Sequence, residues 1–162
     1  MSQTMTFSGL PKTAEEMQAM PESALTSPFQ TACLTVLALI RYEQSPQDCI
    51  DMLNILKGPQ PMSVYETQFL RDRLSGKGYI PRSFLAGTSP QNNYQPSVPY
   101  SLTLEQTPYS FAQEGYVSLY VRSSGADFPR QIKLRMKGKQ WFLWEQFLLP
   151  EIRVPVSDNP WA

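Results

Sequence analysis

Two hydrophobic periods divide this chain. From about residue 13 to residue 74, apolar positions recur at helical spacing, and from residue 100 to residue 147 they alternate with polar ones. Thr13 with Glu16 forms a capping-box pattern ahead of a short helix over Ala14–Met20, which Pro21 stops. Ser27-Pro28, with Gln30 three residues after the serine, opens a second helix that reaches about Tyr42. Phe29, Ala32, Cys33, Leu34, Val36, Leu37, Leu39 and Ile40 leave it almost no polar face. A helix that is apolar all round belongs in the middle of a fold. Ser45-Pro46 starts a third helix, with Cys49, Ile50, Leu53 and Leu56 as its buried stripe and Lys57-Gly58-Pro59 as its stop. Ser63 and Glu66 cap a fourth over about Val64–Leu74, whose last turn carries Arg71 and Arg73.

The back half reads as strands. Tyr100, Leu102 and Leu104 alternate with Ser101, Thr103 and Glu105; Val117, Leu119 and Val121 with Tyr116, Ser118, Tyr120 and Arg122; Ile132, Leu134 and Met136 with Lys133, Arg135 and Lys137. A turn at Lys137-Gly138-Lys139 leads into Gln140–Phe147. Period two with hairpin-length connections predicts antiparallel strands. Helices followed by strands predict an α+β domain, with three main N-terminal helices packed on a C-terminal antiparallel sheet of about four strands. A cone-like helix-plus-curved-sheet arrangement, with a cavity between helix and sheet, is one form this could take. The chain divides into an N-terminal arm with a short helix (1–26), a helical part (27–75), a Pro-rich connection (76–99), the sheet (100–149) and a tail (150–162). At 162 residues these are parts of one domain.

Composition narrows the chemistry. The chain has no histidine, which removes Ser-His-Asp and Cys-His catalysis and His-ligated metals. The two cysteines, Cys33 and Cys49, lie in separate helical segments, and no Cys-x-x-Cys occurs; they read as buried free thiols. Neither a metal nor a cofactor is expected. Lys+Arg and Asp+Glu both total 14, so the net charge is zero, which argues against a nucleic-acid partner. The longest apolar run, around Cys33–Ile40, is far short of the ~20 residues that span a bilayer. No charged leader precedes Lys12. The expectation is a cytoplasmic protein with no membrane association.

The strings Leu53-Asn54-Ile55-Leu56-Lys57-Gly58-Pro59, Phe69-Leu70-Arg71-Asp72-Arg73, Val121-Arg122-Ser123-Ser124-Gly125-Ala126-Asp127 and Trp141–Leu149, with the closing Asp158-Asn159-Pro160-Trp161, resemble an uncharacterised bacterial family found mainly in Firmicutes and known only as a domain of unknown function. The resemblance spans nearly the whole chain. It implies no activity and assigns no residue a role.

Two groups of residues carry candidate binding chemistry. In the loop Arg122–Arg130, Arg122, Ser123, Ser124, Asp127 and Arg130 surround Gly125; backbone N–H groups and guanidinium groups there could hold a carboxylate or phosphate. The competing reading is a self-satisfied hairpin loop in which Asp127 caps the backbone and pairs with Arg130. In the last hairpin, alternation puts Trp141 and Leu143 on the face of Leu134 and Met136, and puts Phe142 and Trp144 with Lys133 and Arg135. Two large aromatics on a sheet's outer face call for a cover: the segment Pro81–Pro99, the tail with Trp161, or a second chain. The leading functional reading is a non-catalytic binding or protein-interaction module, with a protein partner or a second copy of the chain. The alternative is a small-molecule enzyme working in a cavity between helices and sheet, although no nucleophile motif or paired carboxylates are visible.

Overall fold

The computed structural model describes residues 1–162. The chain is α+β, with five α-helices and a five-stranded antiparallel sheet. The strands are β1 (Ser2–Phe7), β2 (Tyr100–Glu105), β3 (Tyr116–Val121), β4 (Arg130–Lys137) and β5 (Gln140–Gln146), in spatial order β1-β2-β3-β4-β5. The helices α1 (Ala14–Gln18), α2 (Pro28–Ile40), α3 (Pro46–Lys57), α4 (Val64–Leu74) and α5 (Tyr79–Arg82) all fall between β1 and β2. The sheet therefore has one strand more than the four expected. The N-terminal arm supplies it, pairing Phe7 with Tyr100 through Ser2 with Glu105.

The helix boundaries follow from local chemistry. Thr13, Ser27, Ser45 and Ser63 each accept a backbone N–H of the first helical turn, removing a donor that would otherwise lack a partner. At Ser63 the box is reciprocal, with Glu66 accepting from the Ser63 N–H at 3.1 Å. Gln30 behaves differently from the box expected there: its side chain accepts from the Thr26 N–H at 3.0 Å, while Ser27 caps Phe29. The second helix stops at Ile40 and tightens into a 3-10 turn over Arg41–Glu43.

Helix α2 is the centre of the molecule, as its apolar circumference predicts. It packs on strands β2 to β5, and α3 packs against it and also touches β5. Leu34 and Leu37 of α2 and Leu102, Leu104 and Leu119 of the sheet are fully buried, so side chains fill the space between helix and sheet. Buried Thr31 and Thr35 are both satisfied: Thr35 donates to the Thr31 carbonyl at 2.8 Å, and Thr31 donates to the Trp141 carbonyl at 2.6 Å. The Trp141 N–H in turn donates to the Leu25 carbonyl at 2.8 Å. These two bonds partner the free edge of β5 at its second residue. No helix is long and apolar enough to cross a membrane.

The segment Pro81–Pro99 is ordered by contacts at one end of the sheet and does not lie over the outer face. Tyr94 is fully buried, stacks on Tyr79 with ring centroids 5.7 Å apart, and donates its hydroxyl to the Arg153 carbonyl at 2.5 Å. Arg82 is held by Glu43 at 2.5 Å. The tail is anchored by buried Ile152 and Pro155, after which it turns into solvent and leaves Trp161 93% exposed.

Candidate functional site

Strand pairing places the outer-face residues directly. Leu134 opposes Leu143 and Met136 opposes Trp141 on the helix side, so Arg135 opposes Phe142 on the outer side. The register then slips by one residue: Lys133 pairs with Glu145, and Trp144 is the extra residue of a bulge. Strict alternation would have turned Glu145 inward. The bulge instead sets Glu145 across from Lys133 and keeps Trp144 on the outer face.

Two rings and two cations meet there. The Arg135 guanidinium lies 4.7 Å from the Trp144 ring centre and 5.5 Å from that of Tyr116, and Lys133 sits 5.1 Å over Tyr116. Tyr116 and Trp144 meet edge to face at 5.8 Å. A cation over a ring face gains quadrupole attraction without using its N–H donors. Arg135, Lys133 and Lys137 form no salt bridge and donate no side-chain hydrogen bond within the chain. A planar guanidinium steadied by two rings, its donors free, is suited to a carboxylate or phosphate.

The cover of Phe142 is the turn after α3. The ring packs so closely on Gly58 that a Cβ added there would lie 2.5 Å from the ring. Gly58 also holds φ +64°, which a side chain disfavours. Neither Pro81–Pro99 nor the tail reaches these aromatics, and Phe142 and Trp144 are both left half-buried. Between the α3–α4 turn and the strands β4 and β5 lies a cleft of about 580 Å³, lined by Pro59, Phe142 and Trp144 with Lys57, Arg135 and Lys137 among its charges. Lys57 is largely buried and bonds Glu66 at 2.7 Å. Burial works to raise the Glu66 pKa, but hydrogen bonds from Lys57 and Ser63 and the Lys57 charge outweigh it and hold the carboxyl below its usual value. That pair is internally satisfied, so Arg135 and Lys137 supply the cleft's uncommitted positive charge, and Glu145 at its rim is the one carboxylate without an ion pair.

The loop after β3 is built differently. Ser123 is buried and donates to the Ser83 hydroxyl at 2.7 Å, while its own oxygen accepts the Gly125 N–H at 3.1 Å. Ser124 bonds Thr88 at 2.8 Å. Asp127 pairs with Arg153 rather than Arg130; Arg130 donates to the Glu151 carbonyl at 3.3 Å, and Arg122 to Glu105 at 3.0 Å. The five residues are thus neighbours in sequence whose polar groups turn to three different parts of the fold: the segment after α5, strand β2 and residues 151–153.

Both cysteines are buried free thiols. Burial pushes the Cys49 pKa up to about 12, and burial, with the Glu22 charge adding to it, also holds the Cys33 pKa well above its ordinary value. No group of three or more Asp, Glu and Cys side chains is placed to hold a metal ion.

Pattern reading singled out Lys133, Arg135, Phe142 and Trp144, and the structure brings all four to one face. The pattern puts Tyr116 on the polar parity of its strand without marking it as a site residue, and the register places it opposite Arg135; Gly58 and Lys57, a helix stop in the sequence, also belong to the site. Tyr116 sits on β3, whose register with β4 is set across the 122–129 connection rather than by the Gly138 turn, and nothing local could have placed Gly58 under Phe142.

A family model described as a domain of unknown function (DUF6935) matches residues 9–156. No curated protein and no solved structure matches the chain. The chain belongs to the DUF6935 family.

Proposed function

We propose that this DUF6935 protein is a non-catalytic interaction module, and that it docks a protein segment in the cleft between the α3–α4 turn and strands β4 and β5. The observation that carries this reading is Arg135, stacked on Trp144 and Tyr116 with no acidic partner. The segment that fits presents an aromatic or other large apolar side chain to Phe142 and Trp144 and a carboxylate to Arg135 or Lys137. A second reading, a small-molecule enzyme, needs a cavity between α2 and the sheet; buried leucines fill that space. The bacterial cytoplasm is the setting we propose, supported by the two free thiols and by the composition.

The test replaces exposed Lys137 with a photo-cross-linking residue in the full chain, expressed in its host. The expected result is one discrete protein adduct. The purified adduct partner should then bind the wild-type chain, with affinity reduced about tenfold or more by Arg135→Glu. Binding that is indifferent to Arg135→Glu would sink the reading.

A further inference from the structure

Trp161 is the most exposed large apolar side chain of the chain, and the cleft is the place where aromatic and cationic groups lack a partner. We infer that the cleft is occupied by the Asp158–Trp161 segment of a second copy of this chain, with the indole of Trp161 beside Phe142 and Trp144 and the carboxylate of Asp158 against Arg135 or Lys137. This inference rests on the docking function proposed above and names the occupant.

Three observations support the second copy. The first is complementarity. Asp158 is exposed and forms no ion pair in its own chain, while Arg135 and Lys137 have no acidic partner in theirs. Two residues separate Asp158 from Trp161, a span of at most ~11 Å when extended, so a single segment can bring both groups to one cleft. The second is order. The Trp161 N–H donates to the Asn159 side chain at 2.9 Å, and the Ala162 N–H to the Asn159 carbonyl at 3.2 Å, so the tail is already folded into a turn that holds the indole outward. A prearranged segment loses less conformational entropy on docking.

The third is reach. The tail lies against the first turn of α3: Pro155 and Asp158 line a shallow cleft with Pro46, the first residue of that helix. The aromatic cleft begins at Lys57, the last. Twelve residues of α-helix put these ends ~18 Å apart. In its own chain Trp161 stays exposed and no tail residue lines the aromatic cleft, so the seated tail does not fill the cleft of its own chain. Exchange between copies is head to tail. It closes as a dimer where two tails swap reciprocally and continues as a chain where they do not.

Sedimentation velocity on the full chain, from micromolar to near-millimolar concentration, tests the inference. The wild type should gain mass with concentration. Trp161→Ala, which spoils the tail, and Arg135→Glu, which spoils the cleft, should each remain monomeric. A one-to-one mixture of the two variants should associate again, because one brings an intact cleft and the other an intact tail. Lys137→Glu is a second cleft variant in case Arg135→Glu alters folding, and Trp161→Ala, being at an exposed site, should melt like wild type. A wild type that stays monomeric throughout, or a mixture that does not associate, overturns the inference. If Trp161→Ala associates like wild type while Arg135→Glu does not, the cleft docks another segment: the inference falls and the docking function stands. If Arg135→Glu changes neither self-association nor the cross-linking described above, both fall.

Discussion

Trp144 and Gly58 show how differently two residues of one cleft can matter. Trp144 is half-buried on a bulge, touched by Arg135 and Tyr116, with open cleft on its other side. Truncation to alanine removes part of one ring's burial and leaves no closed cavity. Trp144→Ala should therefore reduce stability by about 1–2 kcal/mol, below the roughly 3–5 kcal/mol of a fully buried aromatic, while abolishing binding in the cleft. Gly58→Ala should reduce stability by about 1–3 kcal/mol, because its Cβ meets the Phe142 ring and its φ is positive. Denaturant unfolding of both variants checks this. A loss above about 3 kcal/mol for Trp144→Ala would make that ring a fold element rather than a docking surface. The residues of the β3–β4 loop teach the opposite lesson. Arg122, Ser123, Ser124, Asp127 and Arg130 look convergent in one dimension, but each hydroxyl and each charge finds its own partner in the fold, at Ser83, Thr88, Glu105, Arg153 and the Glu151 carbonyl.

Among the elements, α4 depends most visibly on its cap. Ser63, Glu66 and Lys57 tie its first turn to the last residue of α3, and with it the turn that covers Phe142. Ser63→Ala should reduce stability by about 1 kcal/mol. Glu66 adds a pH dependence of known sign. Its folded pKa lies below the ordinary value, so the folded state favours the ionised form. That contribution is fully present above the unfolded carboxylate pKa of roughly 4.3 and is lost as pH falls through the lower folded value. Melting curves in acid should show wild type losing more stability than Glu66→Gln over that window; parallel curves would contradict the assignment. The helix starts were readable because a cap is a contact between residues two or three apart. The strand β1 was not: Ser2–Phe7 does alternate, but six polar and apolar residues become a strand only by pairing with Tyr100–Glu105, across all five helices. The bulge at Trp144 was unreadable for the same reason, since a register slip is a property of two strands together.

At the scale of the molecule, α2 makes helices and sheet one unit. It contacts β2, β3, β4 and β5 as well as α3. Leu37→Ala should cost about 2–5 kcal/mol, and circular dichroism and tryptophan fluorescence should still report one coincident unfolding transition. Separate transitions for helices and sheet would mean that α2 does not couple them. Much of this architecture was legible in one dimension: the α+β class, the central place of α2, the spans of β2 to β5, and the meeting of Arg135, Phe142 and Trp144 on one face. Helical and strand periods and hairpin turns are short-range, and the side a residue faces follows from parity along a strand. The tertiary structure alone decided the fifth strand, the filled space under α2, and the partners of Asp127 and Arg130. It also placed Gly58, rather than the tail or the Pro-rich segment, against Phe142. Each of these depends on which distant segments pack together, and the energy that selects them is apolar burial summed over the whole chain, which no local pattern contains.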